Sequence, residues 1–154
     1  MQWLYMLALA GIILDRYSKM WALHHALHKP IYYNNWLTLK CVFNKGVSFS
    51  MFTPTNLQQY ILLVAIIATV LLTFVIYTWY CMRQGQYVLG HLLVMAGAVS
   101  NGVDRIWYSG VIDFIGIHIN QWYWPWFNVA DSMIVVGIII IIYQTYILDY
   151  YAKN

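Results

Sequence analysis

Four apolar stretches alternate with polar or aromatic connections along the chain. The first runs from about Trp3 to Leu27 and is broken by Asp15, Arg16 and Lys19. The second, Leu57–Tyr80, carries no charge; the third, about Tyr87–Trp107, is clean until Asp104 and Arg105. The fourth, Ser132–Leu148, is again uncharged and contains the isoleucine run 138–142. A helix needs roughly 20 residues to cross a bilayer. The second stretch meets that length, and the fourth meets it once Val129–Asp131 join its start. The isoleucine run has strand propensity, but a lone strand leaves its backbone unsatisfied in lipid, so helix is expected. Trp and Tyr gather near the stretch ends, at Trp3, Tyr5, Tyr77–Tyr80, Trp107, Tyr108 and Tyr146–Tyr151, as interfacial residues do. No Lys or Arg precedes the first apolar run, and hydrophobicity resumes beyond Asp15. Met1–Leu14 therefore reads as part of a first span and not as a cleaved leader.

The connections differ in character. Cys81–Gln86 is short and polar. His28–Asn56 is long, and its Tyr, Trp, Thr, Val and Phe content, with Asn-Asn and Lys-Gly turn signals, predicts strands and hairpins. Ser109–Asn128 is also long and aromatic, and reads as a loop that folds back on itself. With four spans, both long connections lie on one side and can meet. No boundary or linker divides the chain, so residues 1–154 are expected to form a single integral-membrane domain.

Composition strengthens the membrane reading. The chain is 62% hydrophobic and 8% charged, too little polar surface to face water all round. Its net charge of +3 is scattered and no basic run exists, which argues against nucleic acid as a partner. Cys41 and Cys81 lack a CxxC spacing and the His residues lack an HExxH spacing, so no metal set is expected.

Candidate chemistry rests on the acids, since ionisable groups within apolar spans usually have a functional reason to be there. The chain has no Glu and only five Asp. Asp113, in "VIDFI", has apolar neighbours that favour the protonated acid; a turn aspartate bonding local backbone is the plainer alternative. Asp131 opens the fourth helix, where Asn128 and Asp131 fit a capping box. Two carboxylates in such different settings suit a general acid and a general base. Brought together they share a proton, which lets one activate water while the other polarises a carbonyl. Asp104 is most simply paired with adjacent Arg105, itself a clamp or a phosphate or carbonyl ligand. Asp15 and Lys19 can pair at i, i+4 along the first helix. Asn44 and Gly46 in "FNKGVSF" look like a turn. His91 reads as a packed, hydrogen-bonded histidine.

Taken in order, "DRYSK" (15–19), "FNKGVSF" (43–49), "NGVDR" (101–105), "GVIDF" (110–114) and "FNVAD" (127–131) resemble the lipoprotein signal peptidases, or signal peptidase II. The resemblance spans nearly the whole chain. It implies an all-α polytopic membrane protein with four transmembrane helices, and a small extracytoplasmic β-cradle inserted between helices 1 and 2, about residues 28–56. It implies an aspartic endopeptidase of the bacterial cytoplasmic (inner) membrane that cuts prolipoproteins before a diacylglyceryl-modified cysteine. Asp113 and Asp131 would be the catalytic pair. Asp15, Lys19, Asn44, Gly46, Asn101, Arg105 and Asn128 would bind substrate or support the site, and no cofactor or metal would be needed. Expected partners are diacylated prolipoproteins and membrane lipid, with peptide antibiotics of the globomycin type as inhibitors. The family places its termini in the cytoplasm and its site near the outer leaflet. The count of Lys29, Lys40 and Lys45 against Arg83 and Lys153 would orient the chain the other way. Ser100 stands where the family usually has Gly, Val47 and Ser48 where it has Ala-Ala, and "AGA" at 96–98 where Gly-Gly is common; larger side chains there would narrow a substrate groove. From the residues alone, a small proton-coupled transporter or an idle lipopeptide-binding relative remain alternatives, although the acids cluster toward one side instead of forming a relay across the bilayer.

Overall fold

A computed structural model describes residues 2–47 and 52–148; Ser48 and Lys153 lie outside the described residues. The expected apolar stretches form helices α1 (Gln2–His25), α2 (Leu57–Arg83), α3 (Leu89–Tyr108) and α4 (Val129–Ile142), the last running on through π-helical turns over Tyr143–Leu148. The isoleucine run is helical, as the backbone argument requires. Strands β1 (Ile31–Tyr32), β2 (Leu37–Asn44), β3 (Val111–Ile119) and β4 (Trp122–Tyr123) form one antiparallel sheet in that order. The molecule is thus mostly helical with a small sheet.

Local chemistry sets the element ends. Asn56 caps α2 by accepting from Gln59 N at 2.9 Å. Asn34 shapes the β1–β2 turn by accepting from the amides of Trp36 and Leu37 at 2.9 and 2.8 Å. Ser109, in the left-handed region at φ 54°, ends α3 and turns the chain into β3.

The second long connection is not a loop. It is the hairpin β3–β4, so the sheet draws on both long connections and not only on residues 28–56. The physical reason lies in β2, which needs a partner on its second edge. β3 supplies it in the register Val42↔Asp113, Phe43↔Ile112 and Asn44↔Val111. Beyond β4 the chain comes back along β3, where Phe127 exchanges backbone hydrogen bonds with Ile115 at 2.9 and 3.1 Å.

Helices α1 and α3 run toward the sheet and α2 and α4 run away from it. The amide of Cys41 in β2 bonds the carbonyl of Ala26, just past α1, at 3.0 Å. The Tyr60 hydroxyl in α2 donates to the Arg105 carbonyl near the end of α3 at 2.7 Å. The interior is divided. At the end away from the sheet it is apolar, built from Leu4, Ala8, Cys81, Val88, Leu92, Ala96 and Met133. At the sheet end it is polar, with Asp15, Lys19, Ser100, Asn101, Asp104, Arg105, Asp113 and Asn128 all buried.

Helices α3 and α4 pack through small residues. A Cβ on Gly97 would fall inside contact distance of the Ala130 carbonyl, and one on Gly90 would lie 2.6 Å from the Gly137 carbonyl. Such close approach is how helices associate in lipid, where no hydrophobic force drives them together. Two spans, Leu57–Arg83 and Val129–Tyr146, are long and apolar enough to cross a membrane. α2 turns Leu57, Leu62, Val70 and Leu72 outward, each more than 60% exposed, a surface suited to lipid and not to water. His91 is packed as expected, against Phe74 and Tyr77 with ring centroids 5.7 Å away, but it is not hydrogen-bonded. Both its ring nitrogens are buried without a partner, because the neighbours that face it are aromatic rings.

Candidate active site

Asp113 lies on β3 and is 2% exposed. Asn44, on the partner strand, donates its side-chain amide to Asp113 Oδ2 at 3.0 Å; Asn128 donates to Asp113 Oδ1 at 2.8 Å. Asp113 is therefore a strand residue facing side chains from distant segments, not a turn residue bonding its own backbone.

Asp131 lies in the first turn of α4 and is half-buried. The capping box is present: Asn128 Oδ1 accepts from Asp131 N at 2.8 Å, and Asp131 Oδ2 accepts from Asn128 N at 3.1 Å. The other carboxylate oxygen, Oδ1, accepts from Asn101 Nδ2 at 2.8 Å. The chain's return along β3 brings these two acids together, because Phe127 beside Ile115 sets Asn128 against Asp113. Asn128, fully buried, touches both carboxyl groups.

The other candidates converge beneath the pair. Lys19 is fully buried and bonds Asp15 Oδ2 at 2.6 Å, Asp104 Oδ2 at 2.8 Å and Asn101 Oδ1 at 2.8 Å. The expected i, i+4 pair of Asp15 and Lys19 forms, and it sits inside the helix bundle. Asp15 Oδ1 also accepts from the amide of Ala130, next to Asp131, at 2.8 Å. Arg105 donates through Nη2 to the Gly46 carbonyl at 2.8 Å, and Gly46 N donates to Asn44 Oδ1 at 3.1 Å, so the turn after β2 is clamped to α3.

The expected pairing of Asp104 with Arg105 does not occur. Adjacent residues on a helix point apart, and Asp104 turns inward to Lys19 and to Arg16 Nη2 at 2.6 Å. Two participants escaped the sequence reading. Arg16 neutralises Asp104, and an arginine inside an apolar helix was itself the available signal. Ser100 donates its hydroxyl to Asp15 Oδ2 at 2.6 Å, so it adds a bond to the network and does more than fill space.

Burial, and next the nearby charge of Asp131, raise the Asp113 carboxyl to about 7; the amides of Asn44 and Asn128 oppose the rise. An acid that is neutral below pH 7 beside a second carboxyl is the equipment for moving a proton to or from a reacting group. Among the described residues, no three His, Cys, Asp or Glu side chains converge as metal ligands would.

The fold recurs in solved structures. Two solved structures, each described as a bacterial membrane enzyme structure by the in meso method, match with TM-scores of 0.82 and 0.76. Both are 22% identical; the first match covers 100% of this chain and 93% of the other, the second 96% and 94%. The chain belongs to the signal peptidase II family, whose model, described as Signal peptidase (SPase) II, matches residues 7–147. The lipoprotein signal peptidase of Blochmanniella pennsylvanica is 34% identical over 156 residues, covering 100% of this chain and 93% of that one. The enzyme of the same name from Buchnera aphidicola subsp. Schizaphis graminum is 36% identical over 147 residues, covering 94% of each. The chain is accordingly an endopeptidase that removes the signal peptide from prolipoproteins.

Proposed function

We propose that Asp113 and Asp131 are the catalytic pair of this peptidase and that they act on the bond before the lipid-modified cysteine through an activated water. Asp113, neutral below pH 7, donates a hydrogen bond to the scissile carbonyl oxygen. Ionised Asp131 takes a proton from water, and the hydroxide equivalent adds to the carbonyl carbon. Return of a proton to the leaving nitrogen breaks the C–N bond. Asn128 holds the two carboxyls in register, Asn44 and Asn101 brace their outer oxygens, and Arg105 with Gly46 fixes the turn that carries Asn44. Asp15 and Lys19 anchor Asn101 and the start of α4. The observation that carries this reading is Asn128, whose side-chain amide meets Asp113 at 2.8 Å while its backbone amide meets Asp131 at 3.1 Å.

In this reading all four helices cross the bacterial inner membrane as one domain. This is supported by the pairing of Asp15, Arg16, Lys19 and Asp104 between α1 and α3, which lowers the cost of holding charge at membrane depth. The termini are cytoplasmic, the sheet is the extracytoplasmic cradle, and the acids lie near the outer leaflet, where the acyl chains of a prolipoprotein can stay in lipid. Globomycin-type peptides would compete for the same groove. The test uses purified protein in detergent with a diacylated prolipoprotein and follows the mobility shift on cleavage. Asp113→Asn and Asp131→Asn are each expected to reduce cleavage at least about 10³-fold while still folding, as read from a cooperative thermal transition. Cleavage by either variant at near wild-type rate rules the pair out.

A further inference from the structure

The face of the sheet turned away from the two acids carries a cavity of about 320 Å³. The Trp126 indole lines it and lies so close over Gly116 that a Cβ there would be 2.5 Å from the ring. Its walls include Tyr32, Lys40, His118, Tyr123 and Trp124. β2 bulges between Leu39 and Val42, and Lys40 is in the bulge, a device that re-aims a side chain. Lys40 is exposed and makes no ion pair with any described residue. His118 stacks on Tyr123 at 5.6 Å.

The surroundings add two facts. Within the described parts of the long connections the cations are Lys29, Lys40 and Lys45, and the lone acid is Asp113, buried beneath the other face. Nothing acidic on the sheet neutralises the cavity. Next, the sheet end that carries both hairpin turns exposes Tyr33, Trp36, Trp122 and Tyr123, each more than half exposed. Cations set among outward Trp and Tyr rings match the headgroup layer of a bilayer, where the rings sit among glycerol and ester groups and the cations meet phosphate.

We propose that this cavity binds the phosphodiester headgroup of an anionic phospholipid, with Lys40 as the charged contact and His118 as a hydrogen-bond donor. It rests on the reading that the sheet lies against the outer membrane–water interface. A free anion would use Lys40 and His118 but not the exposed rings around the mouth; a lipid uses both. Such a lipid would hold the strand pair that carries Asn44 and Asp113 flat against the bilayer.

The experiment is native mass spectrometry of the full chain in detergent with dioleoylphosphatidylglycerol or dioleoylphosphatidylcholine. The wild type is expected to retain the anionic lipid about fivefold better. Lys40→Ser with His118→Ala is expected to erase that preference, and Lys40→Arg to keep it. Equal retention of both lipids by the wild type, or an unchanged preference in the double variant, overturns the proposal. Displacement of the lipid by equimolar inorganic phosphate would identify the occupant as a free anion and also overturn it. Cleavage of prolipoprotein in detergent by the double variant at the wild-type rate separates this result from the peptidase reading, since neither residue belongs to the catalytic site.

Discussion

Asn128 serves as helix cap and as bridge. One side chain accepts from the α4 backbone and donates to Asp113, while its amide donates to Asp131. The amides of Asn44 and Asn128 both favour a charged Asp113, yet burial and the Asp131 charge outweigh them and lift the carboxyl to about 7. The unfolded chain would release that proton near pH 4. The folded chain binds it more tightly, so the stability due to this group is complete below about pH 4 and is lost as pH rises through about 7. Thermal unfolding in detergent should accordingly shift to lower temperature between about pH 4 and 7, and Asp113→Asn should flatten that dependence. In the proposed mechanism the same proton sets the activity. kcat/KM should fall with an apparent pKa near 7 on its alkaline side. A profile flat across that range would remove Asp113 as the acid.

At the scale of elements, the seam between α3 and α4 has no room to spare. Gly97→Val would drive a branched side chain into the Ala130 carbonyl, one residue from Asp131. Overpacking of this kind costs about 1–3 kcal/mol, so a lower thermal transition is expected, together with a larger loss of kcat than of substrate affinity because Asp131 moves. The measurement is steady-state cleavage beside a melting curve; unchanged kcat would uncouple the seam from the site. The helices were legible in the sequence because lipid demands continuous apolar runs, and the capping box was legible because its residues are local. β3 was not, since its residues are buried on both faces over Val111–Phe114 and show no alternation to mark a strand. The partner of Asp104 was equally hidden. Arg105 is adjacent in sequence, but helix geometry sends the carboxylate across to α1, a contact that only packing defines. The meeting of the two acids was foreseen from their contrasting settings; the strand pairing that brings it about was not.

For the whole molecule, the proposed topology puts the polar end of the bundle and the sheet above it on the outer side of the membrane. A cysteine placed at Asn35, in the exposed β1–β2 turn, should react with a membrane-impermeant maleimide on spheroplasts, whereas one at Gln84, in the α2–α3 turn, should react only after lysis. The native thiols give little background: Cys41 and Cys81 are buried, and burial, helped by the charge of Asp113, pushes the Cys41 thiol up to about 11. Labelling of Gln84→Cys alone on intact cells would invert the proposed topology.

Because β2 and β3 come from different connections, Asn44 leaves the ribosome long before the strand it must pair with. A nascent chain that has threaded only its first helices into lipid therefore carries an unfinished edge and no reaction centre. If Asp113 and Asp131 are the catalytic pair, proteolytic competence switches on when the last helix seats, and a truncated product is an inert membrane passenger and not an unregulated protease.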